Sequence, residues 1–170
     1  MSAKDYTDEF YKEFSQPPDD GTMSLIVRFH HEVPASLQAE VLDQMLDRAI
    51  STTPQKAYFA IGVVCMYLRN HGSDLIVNGA LEANLYALAK DSNWITRRDV
   101  LQVLSSLKRD KDHDLIVAAL SDPKDEVRAA AMNALRDRPD AEATFQKFIQ
   151  DHRPLFRGWL PDRFLLAALT

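Results

Sequence analysis

The chain has 170 residues with 20 basic and 25 acidic side chains, a formal net charge of −5. That excess of carboxylates argues against a general affinity for nucleic acid, which needs a basic surface or patch. The single cysteine, Cys65, excludes an intramolecular disulfide and a cysteine-built zinc site. No apolar run approaches the length needed to span a bilayer, and the polar N-terminus lacks the apolar core of a signal peptide. A cytoplasmic protein folding as one domain, 1–170, is the expectation.

With only 5 glycines the composition suits helices better than a turn-rich β fold. Residues 4–16 place Tyr6, Phe10 and Phe14 at i, i+4 and i+8 with Tyr11 beside them, an aromatic stripe suited to covering an open end of packed helices. Pro17, Pro18 and Gly21 break that helix. A second helix is predicted over 22–33, with Leu25, Ile26, Val27 and Phe29 on its apolar side. After Pro34, with Ser36 as cap, a third runs to about Ser51 through Leu37, Val41, Leu42, Met45, Leu46 and Ala49.

Thr53-Pro54 begins a fourth helix reaching about Asn70, apolar on nearly every face between Ala57 and Leu68, which marks it as the central one. His71-Gly72 stops it, with Gly72 read as a left-handed cap. A helix over 73–90 follows, with Leu75, Ile76, Ala80, Leu81, Leu85 and Leu88 inward. Asn93 then opens one reaching Arg109 through Trp94, Val100, Leu101, Leu104 and Leu107. A short apolar helix ends at Leu120, Asp122-Pro123 makes a turn, and a helix over 124–136 carries the stripe Val127, Ala130, Ala131, Ala134 and Leu135. A helix to about Asp151 and an apolar tail (Leu155, Phe156, Trp159, Leu160, and 164–169) complete the chain.

Internal repetition runs through the second half. Asp-Leu-Ile-Val occurs at 74–77 and 114–117, each time read as the start of a helix. Asp91, Arg97, Val100 and Leu104 recur as Asp122, Arg128, Ala131 and Leu135 at a constant offset of 31. Over residues 73–136 this turn followed by a Val-Arg helix resembles the short HEAT repeats found in phycobilin lyases. The resemblance implies an all-α fold: an α-solenoid of HEAT-like antiparallel helix pairs with divergent terminal caps. Residues 1–33 would be the N-terminal cap helices, 34–138 the helix-pair repeats and 139–170 the C-terminal cap. It also implies that Arg97 and Arg128 reach acidic or carbonyl groups of a neighbouring turn, with Asp91 and Asp122 as partners.

Motifs for chemistry are sparse. His30-His31 are adjacent and point about 100° apart on a helix, the wrong spacing for one metal. His71, His113 and His152 fall at helix ends. Asp110, Asp112 and Asp114 alternate as in a calcium loop, but the glycine and distal glutamate of an EF-hand are missing. No HExxH, phosphate loop or GxSxG elbow occurs, so no catalytic residue, metal or cofactor is assigned. In HEAT-like arrays the second helices line a concave binding face. There the side chains opposite the apolar stripes are Arg98, Gln102, Ser105, Ser106 and Arg109 on one helix and Asp125, Ala129, Met132, Asn133 and Arg136 on the other, with Trp94 and Trp159 as the hot-spot candidates.

That strip suits a protein partner, and the expectation is a non-catalytic binding module of the adaptor, assembly-factor or immunity-protein kind. Residues 1–24 hold two basic and six acidic residues, which suggests a basic partner by complementary charge. The alternatives are a HEAT-like enzyme, either an alkylpurine DNA glycosylase or a bilin lyase, and a structural subunit of a larger helical assembly. No nucleic acid and no membrane are expected as partners.

Overall fold

The computed structural model describes residues 1–16, 21–52, 54–72, 75, 77, 79–136 and 138–151. Within them the regular structure is helical: α1 (Ala3–Phe14), α2 (Thr22–Glu32), α3 (Ala35–Ile50), α4 (Pro54–His71), α5 (Gly79–Leu88), α6 (Trp94–Leu107), α7 (His113–Ala118), α8 (Asp125–Arg136) and α9 (Ala141–Asp151). Single turns of 3-10 helix occur at Asp110–Asp112 and Ala119–Ser121. The fold is all-α. Among the described residues no helix is long and apolar enough to cross a membrane. The chain divides into two compact units, Met1–Lys108 and Arg109–Thr170.

In the first unit α4 is central, packing against α1, α2, α3 and α6. Its sequence explains why. Ala60, Ile61, Val63, Val64, Cys65, Tyr67 and Leu68 are all buried, a nearly continuous apolar circumference that only a surrounded helix can hide. Burial pushes the Cys65 thiol far above its ordinary range, with the nearby Asp99 carboxylate adding to the effect. Around this helix α3 also packs against α5, and α5 against α6, so α3 and α5 are neighbours on one side and α4 and α6 on the other. Arg69 meets Gln102 and Gly72 meets Leu107, so α4 and α6 run in the same direction.

The aromatic stripe of α1 closes this core. Phe10 and Phe14 are fully buried and meet Phe29 of α2 edge-on or tilted, at ring-centre distances of 5.2 and 5.7 Å. Phe29 in turn meets Tyr67 of α4 at 4.8 Å. A buried polar bracket lies beside these rings. Gln38 Nε2 donates to the carbonyls of His30 (3.1 Å) and Val33 (3.0 Å), satisfying the C-terminal end of α2. That orientation leaves Gln38 Oε1 to accept from the Tyr67 hydroxyl at 3.0 Å. The hydroxyl oxygen then accepts from His30 Nδ1 at 3.0 Å, which assigns the proton of neutral His30 to Nδ1. The His30 ring also stacks on His71, 4.3 Å centre to centre.

Several boundaries differ from the sequence expectation. Pro34, not a Ser36-type cap, precedes α3, and no side chain caps that end. The helix predicted over 73–90 is Gly79–Leu88. Leu75 and Val77 are not helical, and the Leu75 N–H donates to Gly72 O and the Val77 N–H to Leu75 O. The Asp-Leu-Ile-Val copies therefore differ: Leu115, Ile116 and Val117 are helical in α7, whereas Leu75 and Val77 are not.

Gly72 is not left-handed. A Cβ there would meet Leu107 Cδ2 at 2.9 Å, so the glycine serves a close approach of α6. The left-handed residues among those described are Gly79 and Lys108, and Lys108 ends α6 two residues earlier than Arg109. Val27 and Ala80, expected inward, are exposed.

In the second unit α8 packs against α7 and α9. Val127, Ala130, Ala131, Ala134 and Leu135 are buried together, the stripe that the helical spacing predicts. Small alanines let the neighbouring backbones come close. Phe145 of α9 is buried, with Phe148 and Ile149 half-buried. The tail with Trp159, and His152, lie outside the described residues.

Candidate functional site

The face singled out in the first unit is set by how α6 begins. Asp91 Oδ1 accepts from the Asn93 N–H at 2.7 Å, and Asn93 Oδ1 caps the helix by accepting from the Ile95 N–H at 2.9 Å. Arg97, one turn in, folds back and donates Nη1 to the carbonyls of Asp91 (2.7 Å) and Ser92 (3.1 Å). The second unit repeats the device before α8. Asp122 Oδ1 accepts from the Lys124 N–H at 2.9 Å, and Arg128 Nη1 donates to Asp122 O at 2.6 Å. Arg128 is also paired with Asp125. Both arginines donate to the main-chain carbonyl six residues back, while the aspartate side chain accepts from the N–H two residues on. Pro123 consequently sits within this turn, ahead of α8, rather than in its first turn. These arginines serve the scaffold.

With the start of α6 locked, Trp94, Arg98 and Gln102 follow at four-residue spacing along one side of it, each half-buried. The Arg98 guanidinium lies over the Trp94 ring, 5.5 Å from its centre. Its Nε and Nη2 donate to Asp99 Oδ1 at 2.9 and 2.7 Å. Gln102 Oε1 accepts from Arg69 Nη1 at 2.7 Å, a bond from α4 to α6. Arg69 was missed by the sequence reading. The available signal was that it is the first charge after the apolar stretch of α4, on a helix otherwise committed to the core. The result is a line of one indole, two guanidiniums and one amide.

On α8, Met132 is half-buried and Asn133 and Arg136 are exposed, with Asp125 and Ala129 beside them in sequence spacing. Arg109, expected on the outer side of α6, lies beyond the helix end. It instead clamps the fully buried Asp112, Nε to Oδ2 at 2.8 Å and Nη2 to Oδ1 at 2.9 Å. That pair disposes of the alternating aspartates. Asp112 is turned inward against an arginine, and Asp110 pairs with Arg138 at 3.1 Å. Among the described residues no group of three metal-ligating side chains comes together.

The acidic N-terminal segment is largely engaged within the protein. Asp5 forms a capping box with Ser2, Asp8 pairs with Lys4 (2.6 Å) and Arg48 (2.9 Å), and Glu13 takes both amino groups of Arg28. Arg28 and Arg48 also lie over the rings of Phe10 and Tyr11. Asp19 and Asp20 lie outside the described residues. No protein-family model matches the chain, and neither a curated protein nor a solved structure does.

Proposed function

We propose that the chain is a HEAT-like, non-catalytic binding module that holds a protein partner on the outer side of α6 and the last turn of α4, with the outer side of α8 as the candidate contact surface of the second unit by itself. Two features support the HEAT-like part. The four helices α3 to α6 pack two by two, like with like, and the aspartate turn with its returning arginine recurs at an offset of 31 residues. The observation that carries the binding reading is the Trp94–Arg98 pair. An indole and a guanidinium, the side chains most enriched in binding hot spots, are stacked and partly open to solvent. Gln102 extends that row on α6, and in the second unit Met132, Asn133 and Arg136 of α8 offer groups of their own that adapt to a protein main chain.

The test is capture from the native host followed by reconstitution. The full chain is expected to retain a protein partner whose affinity, measured with purified components, falls by at least about tenfold on Trp94→Ala. Met132→Ala and Asn133→Ala are expected to weaken it less. A partner bound equally well by all these variants would place the interface elsewhere, and absence of any retained protein would refute the module.

A further inference from the structure

The charges of the first unit separate by layer. Among the side chains described, helices α4 and α6 carry Arg69, Arg97 and Arg98 against the single carboxylate Asp99, a formal +2. Helices α3 and α5 carry Glu40, Asp43, Asp47 and Glu82 against Arg48, a formal −3. The carboxylate excess of α3 and α5 therefore does not extend to α4 and α6. Two of these three cations hold side chains at the surface in fixed places. Arg69 is exposed and oriented by Gln102, and no carboxylate among the described residues lies within ion-pair distance of it. Arg98 is oriented by Asp99 and by the Trp94 ring. Asp99 takes its Nε and Nη2 edge, and Nη1 is not committed to that carboxylate. Arg97 is spent on the turn.

We propose that this face binds an acidic segment of a protein partner, Arg69 and Arg98 taking its carboxylates while Trp94 covers an adjoining apolar side chain. The inference rests on the protein-binding reading above and names the partner's chemistry. It reverses the sign suggested by the N-terminal carboxylates, because those of Asp5, Asp8 and Glu13 already have intramolecular partners. A guanidinium fixed by one carboxylate and one ring pays little further entropy to accept a second carboxylate, and charge-assisted bonds of this kind are the strong ones. A nucleic-acid backbone is the poorer fit. It calls for several cations in a row to release counterions, and here there are two oriented guanidiniums, one of them already paired with Asp99.

The experiment uses the full chain and three labelled probes: a peptide rich in glutamate and leucine, its lysine–leucine counterpart, and a short DNA duplex. Binding is followed by fluorescence anisotropy and by the NMR signals of the Trp94 indole and Arg98 Nε. The acidic peptide is expected to bind, to shift both signals and to weaken as salt is raised. Arg69→Glu and Arg98→Glu should each lower its affinity by about tenfold. Arg69→Gln and Arg98→Gln, which keep hydrogen-bonding side chains, guard against loss of fold and should weaken it by a smaller factor. Preference for the lysine peptide or for the duplex would overturn the proposal, as would indifference to both charge reversals. If a captured natural partner depends on Trp94 yet binds Arg69→Glu and Arg98→Glu unchanged, the acidic assignment fails while the binding module stands.

Discussion

Tyr67→Phe isolates the contribution of the polar bracket inside the aromatic core. The substitution keeps the ring, and with it the edge contact to Phe29 at 4.8 Å, and removes only the hydroxyl. Two hydrogen bonds vanish, one to Gln38 Oε1 and one from His30 Nδ1, each 3.0 Å long. Each is worth about 1 kcal/mol net, and Gln38 Oε1, on a residue only 4% exposed, is left without its donor at a further cost of about 1 kcal/mol. The expected loss is about 2–3 kcal/mol, or roughly 5–10 °C in Tm for a chain of this size.

Urea unfolding followed by circular dichroism measures it, with an unchanged slope showing that the same transition is being compared. Tyr58→Phe, at a half-buried tyrosine, is the control and should stay within about 0.5 kcal/mol. Nitrogen NMR of His30 supplies an independent readout. Neutral His30 should carry its proton on Nδ1 in the native protein and lose that preference in Tyr67→Phe. A destabilisation below about 0.5 kcal/mol, or an Nε2 proton on native His30, would refute the directional chain from Gln38 through Tyr67 to His30.

The two returning arginines should behave alike although they stand in different units. Arg97→Met and Arg128→Met each remove charge-assisted bonds to turn carbonyls and should cost about 1.5–3 kcal/mol, measured by denaturant unfolding with probes in each unit. A loss at one position only would show that the two turns are not equivalent. The carboxylates predict opposing pH effects. The Ser2 main-chain N–H bonded to Asp5, and the Lys4 ammonium bonded to Asp8, hold those carboxyls below the ordinary range. Their stabilisation is present above the unfolded carboxylate pKa and is lost as the pH falls through the lowered native values. Burial raises Asp43 despite its bond from Asn84, so its charged form disfavours the fold at neutral pH. That penalty is relieved as the pH falls from the raised native value to the unfolded one. Carboxyl carbon titration should place Asp43 above Asp5 and Asp8, and the reverse order would contradict the structure.

Helical spacing was enough to read much of this protein from its residues. The stripe of α8 follows from a period of 3.6 with small side chains, and the central position of α4 from an apolar circumference that no surface helix can carry. The recurrence of Asp91 and Arg97 as Asp122 and Arg128 showed that two turns are built alike, because the bonds that make them are local, two and six residues apart.

What local patterns do not contain, the tertiary structure decided. Gly72 resembles a helix stop in one dimension, yet the approach of Leu107, thirty-five positions on, accounts for it. In the two Asp-Leu-Ile-Val strings Leu115 and Val117 are helical whereas Leu75 and Val77 are not, although the local sequence is the same. Gln38 looks like a surface amide until two carbonyls at the end of α2 and the hydroxyl of Tyr67 converge on it. The outer strip was legible as Trp94, Arg98 and Gln102, since these share one helix. Arg69 joins them only through the parallel packing of α4 on α6, which brings the end of one helix to the row carried by the other.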